Sequence, residues 1–241
     1  METDELIFDF LGPDTIEMQK FIGDVWPEKI HARVLDLASG SGEHLFGFIN
    51  KSIESVTVVD RSPESLQLLL NKHNDHGNMI NTVCSDLNDW SCPQKFDIVH
   101  IGDNSIQMFP AYKNQFDIFR VIASSLSAEG VGMVNVTPVT EHQIMEYGGA
   151  PKVIKSLTID GEAFEVYGEV KIDVFNQTLM MYFTVYKNEN ETSRCTCRCR
   201  MLLKHEIEEM AKAAGLKIVQ VKQQKLKRGN DSYYYLLQLN Q

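Results

Sequence analysis

The stretch Val34-Leu35-Asp36-Leu37-Ala38-Ser39-Gly40-Ser41-Gly42-Glu43-His44 decides how this chain folds. It opens as a short apolar run and passes at once into small residues, the pattern of a strand buried on both faces that hands over to a helix through a tight turn. Gly40 and Gly42 permit that turn and let the backbone approach a ligand closely, while the helix start that follows offers free amide groups. Such a loop is a nucleotide-type cradle. Further apolar runs at 56–59, 79–84, 96–101 and 131–136, spaced by helix-length stretches, predict with 34–37 five strands of a doubly wound α/β sheet.

Two intervening helices are well marked. The first has Ser62 as N-cap, Pro63 at the first helical position, Leu66, Leu69, Leu70 and His73 on one stripe, and Gly77 beyond its end. The second, over 111–126, places Phe116, Phe119, Ile122, Ala123 and Leu126 on one face with Gly130 after it. Upstream, Met18, Phe21, Ile22, Val25 and Trp26 predict an amphipathic helix ending before Pro27.

After about residue 139 the pattern changes. Alternation over 163–174, 179–186 and 194–200, separated by Asp160-Gly161, Asn176-Gln177 and 188–190, predicts an antiparallel insert. A helical stripe of Leu203, Ile207, Met210, Ala211 and Ala214, closed by Gly215, then leads to strands at 216–221 and 233–239. The expected organisation is therefore an amino-terminal helix and cofactor-binding core over 1–138, the insert over 139–200, and a last helix and β-hairpin over 201–241 that complete the core sheet.

Composition narrows the function. The 241 residues carry 23 Lys+Arg against 33 Asp+Glu, a formal net charge of −10. That balance speaks against nucleic acid or an anionic membrane as partner, since both select a basic footprint. No window nears the roughly 18 consecutive apolar residues of a membrane helix, and the acidic first ten residues do not read as a signal peptide, so a cytoplasmic location is expected. Five cysteines then read as reduced thiols.

A dinucleotide-binding loop begins like this one, but it wants a small residue where Leu45 stands, and Asp36 would repel a pyrophosphate. A cationic, phosphate-free cofactor suits the same carboxylate. In these residues the chain resembles the class I S-adenosylmethionine-dependent methyltransferases, and the resemblance extends in order through Asp60, Asp86-Leu87, the 101–105 segment and the tail. It implies a seven-stranded Rossmann-like sheet with an antiparallel β insert after the fifth strand, and S-adenosylmethionine as cofactor. It further implies that Asp36, Ala38, Gly40, Ser41 and Gly42 hold that cofactor, with Asp60 and Arg61 at the ribose, Asp86 and Leu87 at the adenine, and Ile101 and Gly102 beside the methionine part.

The insert, together with Gly102 to Phe109 (GDNSIQMF), looks like the small-molecule N-methyltransferases. In that subgroup the insert and the amino-terminal helix form a lid over the methyl acceptor. The implied activity is direct in-line methyl transfer to a small molecule at an amine nitrogen, in a monomer or homodimer. O- or C-methylation, or a silent cofactor-binding protein of this fold, are the alternatives. Asp103, Asn104, Gln107, Arg198 and Arg200 are candidate acceptor contacts. A base is optional for such a displacement; His100, His142 and Tyr147 are candidates, with Glu141, Asp103 and Tyr182 behind them.

Several of these residues also have plainer readings. His100 lies in a strand buried on both faces, where a satisfied core histidine is the simpler expectation. His44 reads first as a packed or exposed helix residue. In Cys195-Thr196-Cys197-Arg198-Cys199-Arg200, period two puts the thiols on one face and the arginines on the other, so the cysteines pack as small apolar groups and no metal is expected. The arginine face reads first as solvated.

Overall fold

The computed structural model describes residues 31–49, 53–92, 94–139, 149–159, 161–225 and 231–240. The helix expected at 18–26 lies outside them, as does the turn around Arg228-Gly229-Asn230. The chain divides into two compact units; among the described residues, one takes those up to Thr137 and from Leu203 onward, the other Pro138–Leu202.

The first unit is built on a seven-stranded sheet. In chain order its elements are β1 (Ala32–Leu37), α1 (Leu45–Ile49), β2 (Ile53–Asp60), α2 (Pro63–Lys72), β3 (Ile80–Cys84), β4 (Phe96–Ile101), α3 (Tyr112–Ser125) and β5 (Leu126–Val136). After the insert come α4 (Lys204–Ala213), β10 (Leu216–Lys225) and β11 (Asp231–Leu239). The strand order is β10-β11-β5-β4-β1-β2-β3, seven strands as the resemblance implied. β1 pairs in parallel with β2 on one side and β4 on the other, so the winding reverses at β1. That reversal opens a crevice at the carboxyl ends of β1 and β4, where ligands bind in sheets of this kind.

The helices form for the reasons their sequence gives. Ser62 caps α2, its hydroxyl accepting from the Ser65 amide at 3.1 Å, and Pro63 stands at the start. Leu66 and Leu69 face inward onto Val34, Val56, Val58 and Ile98; burying each such side chain is worth roughly 1.5–3 kcal/mol. α2 stops at Lys72, and Gly77 lies inside a 3-10 turn over Asn74–Met79 instead of capping the helix. The buried stripe of α3 is Gln115, Ile118, Phe119, Ile122 and Ser125, turned from the expected face because the Gln115 amide donates to the Ile106 carbonyl at 3.2 Å. β5 begins at Leu126, so Gly130 is a strand residue. A Cβ there would sit 2.9 Å from the Phe96 carbonyl oxygen, so close backbone approach, not helix capping, selects glycine.

The second unit is an antiparallel sheet, β6 (Lys152–Ile159), β7 (Glu162–Asp173), β8 (Thr178–Lys187) and β9 (Asn190–Arg200), in that order. Three of its strands follow the alternation; β6 escapes it because a register shift between Val153 and Lys155 breaks the period of two. Val166, Phe183 and Val185 form its small core, with Ile154, Leu157, Met181 and Cys195 packed on it. An open groove of about 570 Å³ on this unit is lined by residues such as Leu157, Phe164 and Tyr186. Among the described residues no helix is long and apolar enough to cross a membrane.

Candidate functional site

The glycine loop leaves β1 through three alternate residues with left-handed backbone: Ala38 (φ 52°), Gly40 (φ 53°) and Gly42 (φ 80°). Gly42 has a second constraint, because a Cβ would lie 2.6 Å from Leu69 Cγ. Nothing lies within 4 Å of the place where Gly40 would carry one, so the loop presents bare backbone to open space there. Asp60, at the end of β2, braces the loop: Oδ2 accepts from the Gly40 amide at 2.8 Å and Oδ1 from the Ser62 amide at 2.9 Å. Each oxygen keeps a further acceptor lone pair. Lys72 pairs with Glu43 and reaches Ser41 Oγ at 3.4 Å, fastening the loop to the end of α2.

Beneath the loop Asp36 is 1% exposed. Its Oδ1 accepts from His100 Nδ1 at 2.7 Å, and His100 Nε2 lies 3.4 Å from the Tyr234 hydroxyl. Burial, then the charges of Asp103 and Asp36, push the Tyr234 phenol well above its ordinary value, so it stays protonated. His44 packs edge-on against His100 with ring centroids 5.1 Å apart. Burial, then the nearby His100, hold the His44 imidazole well below its usual value, which keeps it neutral near pH 7.

Gly102 threads between the two rings: a Cβ would meet His100 Cε1 at 2.5 Å and His44 Cε1 at 2.6 Å. The next two residues, Asp103 (φ 48°) and Asn104 (φ 57°), are both left-handed, a strained pair of the kind found at functional sites. Asn104 is held there by bonds at both ends. Its amide donates to Asn135 Oδ1 at 3.3 Å and its Oδ1 accepts from the Thr137 amide. Asn135 in turn donates to Ser232 Oγ at 2.7 Å, so β5 and β11 fix this turn. Asp103 is half-buried, and desolvation followed by the charge of Glu43 pushes its carboxyl up to about 8.

Four buried polar atoms, Asp36 Oδ2, Ser39 Oγ, His44 Nδ1 and Gln107 Oε1, have no partner among the described residues. Unsatisfied buried groups are costly, and their placement in and after the segments that leave the carboxyl ends of β1 and β4 suits a polar ligand. The donor set fits S-adenosylmethionine: Asp36 for an ammonium, Asp60 for vicinal hydroxyls, Asp86 for an amino group. Asp86, past β3, uses Oδ1 for the amide and side chain of Asn88, both at 2.8 Å. Leu87 and Ile101 are buried beside their strands, and Arg61 and Ser41 are at the surface or half-buried.

The remaining expected residues lie elsewhere. His142, Tyr147 and Glu141 are outside the described residues. Arg198 is exposed on β9, while Arg200 is 8% exposed and donates to Gln177 Oε1 at 2.6 Å. Cys195, Cys197 and Cys199 share one face of β9, and the contact with Cys197 together with burial keeps Cys199 a thiol. Tyr182 lies under Lys171 Nζ, 5.0 Å from the ring centre. Sequence reasoning missed Ser39 and Tyr234. Tyr234 carries no motif: it belongs to an alternating strand, and only the placement of β11 beside β5 brings it to His100.

Residues 34–130 match the family model described as a methyltransferase domain. No curated protein matches the chain by sequence. Among solved structures, an S-adenosylmethionine-dependent methyltransferase from Clostridium acetobutylicum superposes with a TM-score of 0.80 at 20% identity, over 98% of each chain. An amino pentose methyltransferase from Micromonospora echinaspora gives 0.75 at 14% identity, over 98% of this chain and 97% of that one. A sugar N-methyltransferase from Streptoalloteichus gives 0.73 at 14%, over 100% and 94%.

Proposed function

We propose that this chain, whose residues 34–130 match a methyltransferase domain and whose fold is similar to that of an S-adenosylmethionine-dependent methyltransferase, is a class I enzyme of that kind and methylates a small molecule at an amine nitrogen. The observation that carries the amine reading is Asp103: a carboxyl at the rim of the crevice, lifted to about 8, whose ionised form is a stronger proton acceptor than an ordinary carboxylate and pairs with an ammonium. Similarity in fold to an amino pentose methyltransferase and a sugar N-methyltransferase supports it.

When bound, the cofactor supplies an electrophilic methyl group on a sulfonium sulfur. Asp60 holds the ribose hydroxyls while keeping the loop closed through Gly40; Asp86 and Leu87 receive the adenine; Asp36 pairs with the amino group. Ala38, Gly40, Ser41 and Gly42 bring bare backbone close, with Arg61, Ile101 and Gly102 flanking. Asp103, once ionised, takes the proton that an alkylammonium must lose before its lone pair can attack. Orientation and exclusion of water supply the rest of the acceleration.

The test is a transfer assay over amines, amino sugars, phenols and RNA, read by mass spectrometry. Methylation of amines is expected, with kcat/KM at pH 7 reduced about a hundredfold or more in Asp103→Ala. Turnover confined to phenols or RNA overturns the amine reading.

A further inference from the structure

We propose that His100 and Tyr234 are positioning residues that act through Asp36: their hydrogen-bonded chain fixes Oδ1 and reserves Oδ2 for the cofactor's amino group. The proposal rests on the cofactor reading above and goes beyond it by assigning the second layer of that site. A carboxylate only accepts, so the hydrogen on His100 Nδ1 points at Asp36 in either protonation state of the ring, across 2.7 Å. In the neutral ring Nε2 is then an acceptor and the Tyr234 hydroxyl its donor at 3.4 Å. Every bond in the chain thus runs toward Asp36.

The ring also has no freedom to turn. Phe48 packs edge-on at 4.9 Å, His44 at 5.1 Å, Tyr234 stacks at 6.0 Å with planes 20° apart, and Gly102 leaves no room for a Cβ. His100 is 0% exposed with both ring nitrogens engaged, a poor situation for collecting a proton from an acceptor and a good one for holding a carboxylate still. Of the two oxygens of Asp36, only Oδ2 is buried without a partner. An oxygen left in that state by a fully engaged neighbour is a preorganised half of an ion pair.

The experiment compares two ligands by calorimetry: S-adenosylhomocysteine, which has the amino-acid part, and 5′-methylthioadenosine, which shares adenine, ribose and thioether but lacks it. His100→Leu should weaken the first about tenfold or more, the worth of a charge-assisted hydrogen bond, and leave the second within about twofold. His100→Asn, whose side-chain amide can donate where Nδ1–H does, should restore most of the loss. Tyr234→Phe should weaken S-adenosylhomocysteine alone, by a smaller factor. Equal weakening of both ligands, no weakening of either, or no rescue by asparagine overturns the proposal. If His100→Leu does not fold, Tyr234→Phe decides by the same comparison. Asp36→Asn separates the layers: selective loss there with none in His100→Leu or Tyr234→Phe sinks the relay alone, whereas no selective loss in Asp36→Asn sinks the cofactor reading on which the relay rests.

Discussion

Replacing Gly102 with alanine adds one methyl group at the most crowded point of the site. Gly102 lacks the left-handed backbone of Gly40 and Gly42, so no backbone strain enters; the whole cost is contact. The new carbon would stand 2.5 Å from His100 Cε1 and 2.6 Å from His44 Cε1, about 1 Å inside the normal carbon contact. Both rings are buried, and His100 is held by Asp36 at 2.7 Å and by Phe48 on its edge. Its retreat must stretch the bond to Asp36. Overpacking of this kind costs about 1–3 kcal/mol, and the loss of a charge-assisted bond about 1.5–3 more, for a total of about 2.5–6 kcal/mol. In a chain of this size that lowers Tm by roughly 5–24 °C. Gly40→Ala is the control: it faces open space at φ 53°, so only left-handed strain of about 1–2 kcal/mol applies. Differential scanning calorimetry measures both. A Gly102→Ala protein melting within about 2 °C of the parent would refute the steric reasoning, and His44→Ala added to it should return part of the loss.

Three other outcomes follow from the same geometry. Ala38→Gly should stabilise the fold by about 1 kcal/mol, since φ 52° suits glycine, and urea denaturation reads it directly. Asp60→Ala should abolish detectable S-adenosylhomocysteine binding in calorimetry and also cost stability, because the Gly40 and Ser62 amides lose their acceptor. Asp103 has a folded value of about 8, above its unfolded carboxylate value, so the native state keeps its proton longer and stability falls as pH rises from about 4 to about 8. Asp103→Asn should therefore gain Tm relative to the parent across that window and stay level above it; a constant difference from pH 5 to 9 contradicts the shift.

Much of the fold was legible because its signals are local. Buried parallel strands read as continuous apolar runs, and Ser62, Pro63 and the leucines of α2 announce a helix without help from the rest of the chain. The glycine loop and the acids Asp36, Asp60 and Asp86 are legible for a related reason: each sits at a strand end where sequence position fixes spatial position. What stayed hidden is long-range. Tyr234 comes to His100 from 134 residues away, through strand order that no spacing encodes. The turned face of α3 depends on a Gln115 bond to another segment, and β6 is disguised by its bulge. His44 illustrates a further gap, since burial beside Gly102 depends on how closely two backbones approach.

The strand order also has a consequence in time. β11 follows every other described strand in sequence, yet it lies inside the sheet, between β5 and β10. During synthesis the edge of β5 must wait, unpaired, until the four-stranded insert, α4 and β10 have been made, and Asp36 lacks its full support until then. The binding site therefore matures only once β11 has been made, and a nascent or truncated chain that stops short of β11 presents an open strand edge to its neighbours in place of a finished pocket.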